Sequence, residues 1–146
     1  MLRKSLMCVG LLVLVVMPCL AHHMAVVVDK ENKVGNVSSA HLAKILRSEI
    51  KRWPDGTGIV IVLHKASSGE RTTLARLMKI SDGDLQSFIA THKNSLKLVG
   101  TDADVLELVE SMRGAVGLVD VRSVTSGINV VTVDGKLPTE DGYLPH

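Results

Sequence analysis

The sequence predicts an α/β fold, a sheet with helices packed on it, and three observations lead there. Short runs of Val, Ile, Leu and Ala, too short for helices and bounded by turn residues, alternate with segments whose apolar residues recur at helical spacing. The apolar content is aliphatic, with only Trp53, Phe88 and Tyr143 as aromatics, and such a composition suits strands buried under helices. The chain has 146 residues and no internal repeat, low-complexity tract or linker. One domain of that size buries roughly two thirds of its unfolded surface.

The elements follow in order. Ala25 to Val28 is a short apolar run that reads as a buried strand, and the polar stretch from Asp29 to Asn36 reads as a loop. Ser38 or Ser39 caps a helix that carries Leu42, Ile45 and Leu46 on one face. Trp53-Pro54-Asp55-Gly56 is a turn, because proline presets one dihedral and glycine accepts the conformation other residues avoid. Gly58 to Leu63 is the clearest strand. From Gly69 to Lys79 the period changes, and Leu74, Leu77 and Met78 form the apolar face of a helix. A short helix from Asp82 to His92, capped by Ser81 or Asp82, packs Leu85, Phe88 and Ile89. Leu96 to Val99 is a brief strand. Thr101 with Asp104 resembles a capping pair opening a helix through Leu106, Leu108, Val109 and Met112, which Gly114 ends. Ala115 to Val119 and Ile128 to Val133 are apolar strands, and Asp134-Gly135 turns the chain into a polar tail.

Residues 1–21 have the three parts of a secretory signal: basic Arg3 and Lys4, an apolar run from Leu6 to Met17, and Pro18 before the small residues Cys19 and Ala21. The apolar run is about 12 residues, short of the roughly 20 that span a bilayer, so the reading is cleavage after Ala21 and no stable membrane insertion. The domain then occupies 22–146, and the protein is periplasmic or secreted. Both cysteines, Cys8 and Cys19, lie in the leader, so the mature chain has no disulfide and rests on its core. Without Arg3 and Lys4 its acidic and basic residues balance. No nucleic-acid footprint or polybasic membrane patch is indicated.

The stretch Ile59 to Thr73 carries the chemistry: a strand feeds a Ser/Gly loop that opens a helix. Free N–H groups of a first helical turn and the positive end of the helix dipole favour an anion there. Ser67, Ser68, Thr72 and Thr73 add hydroxyls, Gly69 allows close approach, and Arg71 offers a charge-assisted pair. Ser68 is equally an ordinary N-cap, and Glu70 suits a first helical turn while repelling an anion. The Walker A lysine is absent, so nucleotide hydrolysis is not supported.

The order of motifs resembles the later part of the periplasmic phosphate-binding proteins of ABC transporters. Val27-Val28-Asp29-Lys30 followed by Val37 to Leu46 is similar to that family's strand and its leucine-serine and helix segment. Lys51-Arg52-Trp53 is similar to its lysine, any, tryptophan turn. Ser68-Gly69-Glu70-Arg71 stands where the family shows serine-glycine-threonine-arginine. Gly114 to Val119 is similar to its glycine-alanine-isoleucine-glycine-tyrosine-valine strand, and Val133-Asp134-Gly135 with Pro138-Thr139 resembles its closing segment. The resemblance implies a mixed β-sheet flanked by helices, like one lobe of a type II periplasmic binding protein. It also implies a small oxyanion such as phosphate held by Ser67, Ser68, Gly69, Glu70, Arg71 and Thr72. Only Ser68, Gly69 and Arg71 match the family's ligands by identity; Glu70 replaces a threonine, and His64 falls where an arginine often sits. Full members have two lobes, and the part supplying the first phosphate-binding loop is missing here.

Two function classes follow. The first is an exported, non-enzymatic oxyanion-binding domain, with an ABC permease or another envelope protein as partner. The second is a protein-interaction or structural module that keeps the fold and has lost the anion. No catalytic residue, cofactor or metal is expected: there is no Gly-x-Ser-x-Gly elbow, and Ser68 near His64 lacks an orienting third group. Cleavage would expose His22 beside His23 and Met24, a copper-binding start that needs more ligands. His41, His64, His92 and His146 show no metal spacing, so a disordered polar terminus is the expectation for His22 to Met24. Trp53 reads as a packed anchor, and Asp102, Asp104 and Glu107 read as a capped, solvated helix face.

Overall fold

The computed structural model describes residues 23–65 and 68–144. The signal-peptide reading of residues 1–21 therefore lies outside the described residues. The elements are β1 (Met24–Asp29), β2 (Asn36–Val37), α1 (Ser39–Leu46), β3 (Val60–His64), α2 (Ser68–Met78), α3 (Asp82–Thr91), β4 (Leu96–Val99), α4 (Asp102–Ser111), β5 (Ala115–Asp120) and β6 (Ile128–Val133), with a 3-10 turn at Val121–Ser123 between the last two.

The sheet is mixed, in the order β2-β6-β1-β5-β3-β4. β3 runs parallel to β4 and β5, with Ile61 opposite Leu96 and Val116. β1 is antiparallel to both neighbours, so Val26 faces Leu118 of β5 and Val131 of β6. The two-residue β2 closes one edge, parallel to β6. The polar composition of Asp29 to Asn36 concealed that edge strand.

Strict alternation along the central strands divides the core in two. Val26, Val28, Ile61, Leu63, Val116 and Leu118 face α1, α2 and α3. Ala25, Val27, Val62, Ala115 and Val119 face α4. Strands covered on both faces read as unbroken apolar runs, which is why the sequence marked them clearly. Gly117 sits beneath α4, where a Cβ would stand 2.6 Å from Val105 Cγ1 and 3.1 Å from Val109 Cγ2. That missing side chain lets the helix lie close on the sheet.

Three of the helices, α1, α3 and α4, start at side-chain caps. Ser38 Oγ accepts from His41 N at 3.1 Å, Ser81 Oγ from Asp84 N at 3.1 Å, and Thr101 Oγ1 from Asp104 N at 3.2 Å. Each satisfies a donor that a first helical turn leaves unpaired. Trp53 is the anchor its position predicts, 6% exposed, with Nε1 donating to the Gly114 carbonyl at 2.9 Å.

Three expectations need correction. The segment after Gly135 is not simply a polar tail: Tyr143 and Leu144 are 3% and 6% exposed. Tyr143 Oη accepts from Val26 N at 3.1 Å and donates to the Val131 carbonyl at 2.5 Å, so it bridges β1 and β6. The start of the domain is ordered rather than a loose terminus. Met24 opens β1, and the His23 carbonyl accepts from Val121 N at 2.8 Å; His22 lies outside the described residues. Asp102, third, is not merely solvated: its Oδ2 accepts from Asp120 N at 2.9 Å and Ser123 Oγ at 3.1 Å.

Candidate functional site

Helices α2 and α4 follow the parallel strands β3 and β4, so both open at the carboxyl ends of those strands. The chain goes from β3 to β4 on one side and returns to β5 on the other. The carboxyl end of β3 is therefore a switch point of the sheet, the place where open α/β sheets leave a crevice.

The sequence-predicted site lies across this end. Ser68, Gly69 and Glu70 form the first backbone turn of the 11-residue α2. Ser68 is thus already helical, one position later than a cap, and Ser67 lies outside the described residues. Arg71 is exposed and Thr72 half-buried. Both line a cavity of about 210 Å³ between α2 and α3, together with Asp82, Leu85 and Gln86. Arg71 therefore borders an acidic neighbour on the α3 side.

Sequence reasoning placed His64 beside this loop and gave it no part. In the structure it ties β3 to α4: Nε2 lies 2.6 Å from the Gly100 carbonyl and Nδ1 3.4 Å from Asp102 Oδ1. A carbonyl only accepts, so Nε2 is the ring nitrogen that donates to Gly100. Asp102 joins α4 to the end of β5 through its other oxygen. Asp120 in turn receives Arg122, whose Nη2 lies 2.8 Å from Oδ2 and whose guanidinium is held further toward its charged form by that carboxylate. One linked polar network thus fixes the ends of β3 and β5 and the start of α4, beside the opening of α2. The signal that could have found it was Asp102 directly after the Thr101 cap, where a carboxylate suits the helix dipole.

Among the described residues no three His, Cys, Asp or Glu side chains gather as metal ligands, and no helix is long and apolar enough to cross a membrane.

No curated protein matches the sequence. Solved structures do. An ABC-type phosphate transport receptor from Vibrio cholerae is 25% identical with a TM-score of 0.66, over 80% of this chain and 48% of that one. A phosphate-bound protein from Clostridium perfringens is 20% identical, with a TM-score of 0.67 over 80% of this chain and 47% of that one. PstS from Borrelia burgdorferi is 22% identical, with a TM-score of 0.61 over 80% and 49%. The chain spans about half the length of the structures it matches. Its sheet and helices match one lobe of phosphate-binding periplasmic proteins, as the motif order implied. Residues 14–142 match the PBP superfamily domain, and the chain belongs to that family.

Proposed function

We propose that the protein is an exported, non-enzymatic binding domain that takes a small oxyanion, phosphate first, at the opening of α2. The observation that supports this most is the position of Ser68, Gly69 and Glu70 as the first turn of an 11-residue helix that follows a parallel strand. Amides of that turn have no partner within the helix and suit an anion. In this reading the amides of Gly69, Glu70 and Arg71 donate to the anion. Hydroxyls of Ser68 and Thr72 orient it, and Arg71 balances its charge. The leader, residues 1–21, is removed on export to the periplasm or beyond. A wall of a single lobe is exposed to water, which weakens each electrostatic contact, so affinity is low until a permease or other envelope partner covers the site.

The second reading, a partner-binding module without an anion, draws support from His64. Its ring is taken up by Gly100 and Asp102, and Arg71 borders Asp82.

Thermal unfolding with phosphate, against sulfate and chloride at matched ionic strength, separates the two. A ligand that binds only the folded state raises the midpoint with concentration. A phosphate-specific rise that disappears in Arg71→Ala supports the first reading. No rise up to roughly a hundred times a millimolar dissociation constant would favour the second.

A further inference from the structure

The cavity of about 210 Å³ between α2 and α3 is lined by one charge of each sign, Arg71 on α2 and Asp82 on α3. Both residues are exposed, and so is Gln86, which stands one turn after Asp82 on the same face of α3. A ligand in the cavity can therefore reach all three side chains. Leu85, 1% exposed, closes the floor without offering a contact. A cavity of about 150 Å³ is enough to hold benzene, so a small organic molecule fits between the helices.

Two opposite charges on one cavity have an obvious partner in each other, yet they do not pair. Among the described residues neither the Arg71 nor the Asp82 side chain makes an ion pair or a hydrogen bond. Asp82 is not spent on capping its helix either. Ser81 fills that position, with its Oγ accepting from Asp84 N at 3.1 Å.

A ligand of one sign is attracted by one of these groups and repelled by the other. Only a ligand carrying both signs gains from both. We infer that the oxyanion taken at the opening of α2 belongs to a small zwitterion, a phosphate monoester with an ammonium group on a short aliphatic arm. The phosphoryl oxygens pair with the Arg71 guanidinium, and the arm runs along the cavity to place the ammonium on Asp82, with Gln86 Oε1 as a further acceptor. A monoester leaves more free oxygens for the guanidinium and the α2 amides than the diester of a lipid headgroup does. This inference rests on the oxyanion reading of the α2 opening and adds the class of ligand to it.

The test is isothermal titration of the purified protein with phosphoethanolamine, propyl phosphate, glycerophosphoethanolamine and inorganic phosphate at matched ionic strength. Phosphoethanolamine should bind roughly fivefold more tightly than propyl phosphate, the upper end for one exposed ion pair, and more tightly than the diester. Asp82→Asn keeps the shape of the side chain. It should erase the advantage of phosphoethanolamine over propyl phosphate and bind inorganic phosphate somewhat more tightly, because a repelling carboxylate has gone. Arg71→Ala should weaken every ligand. Equal affinity for phosphoethanolamine and propyl phosphate, or an advantage that survives in Asp82→Asn, overturns the inference and leaves the oxyanion reading standing. A diester that binds as tightly as the monoester overturns the assignment to a free monoester. Binding of none of these ligands, inorganic phosphate included, overturns the oxyanion reading and the inference with it.

Discussion

Trp53 and Gly114 are joined by a 2.9 Å hydrogen bond from the indole Nε1 to the glycine carbonyl, 61 residues apart in sequence. The same carbonyl accepts from Val60 N at 3.2 Å, and the amide of Gly114 donates to the buried Asp29 carboxylate at 3.2 Å. The turn that ends α4 is thereby fixed to the start of β3 and the end of β1. Gly114 has φ +85°, and a Cβ there would collide with the carbonyl of Gly58. Gly114→Ala should therefore cost about 3 kcal/mol or more, from backbone strain and overpacking together. Trp53→Phe keeps most of the apolar ring but loses the donor, and should cost about 1–3 kcal/mol. Urea unfolding of the two variants ranks them; equal midpoints would contradict this reading of the turn.

Gly117 offers a second, independent test on the other face. Its missing Cβ leaves room for Val105 and Val109 of α4. Gly117→Ala should destabilise by about 1–3 kcal/mol because a helix side chain has to move. Gly135, with φ +75° and nothing within 4 Å of the added Cβ, has space but the wrong backbone conformation. Gly135→Asn should be nearly neutral, since asparagine tolerates that region. Calorimetric midpoints of the two proteins check the contrast.

The fold was legible because its central strands are buried on both faces and three of its helices are capped by Ser38, Ser81 and Thr101, residue types whose hydroxyls cap helices for local reasons. What escaped depends on contacts distant in sequence. Nothing local shows that Tyr143 reaches β1 across 117 positions, or that Asp102 serves His64 and Asp120 rather than solvent. The two-residue β2 is too short to show a period, and its pairing depends on β6, which lies almost a hundred residues later. The strand-loop-helix order around Ser68 could be read directly, because each of its parts is local in sequence.

The network at the carboxyl end of β3 gives a third prediction. Asp102 accepts from Asp120 N and Ser123 Oγ on one oxygen and lies 3.4 Å from His64 Nδ1 on the other. Asp102→Asn keeps the shape but replaces one accepting oxygen with a donor. It should cost about 1–3 kcal/mol, as expected for a partly buried charged hydrogen bond. Asp102→Ala should cost more, because the Asp120 amide and the His64 ring both lose a partner. Chemical denaturation ranks the variants, and the imidazole resonances of His64 report whether the ring leaves its place.

Tyr143 sets an alkaline limit on stability. Burial pushes its phenol from the ordinary value of 10.0 up to about 12, with the hydrogen bond from Val26 N acting in the opposite direction. The folded state therefore holds the phenolic proton over a pH range in which the unfolded chain releases it. Below the unfolded value this stabilisation is complete; between pH 10.0 and about 12 the folded state binds more protons, so stability falls as pH rises, by roughly 3 kcal/mol in all. Tyr143→Phe removes the ionisation and, at neutral pH, leaves Val26 N and the Val131 carbonyl unpaired, at a cost of about 1–3 kcal/mol. Lysines titrate in the same alkaline range in both proteins, so the difference between them isolates the tyrosine. The two stability curves should converge as pH rises through that interval. If they stay parallel, the phenol is not the group that limits the fold at high pH.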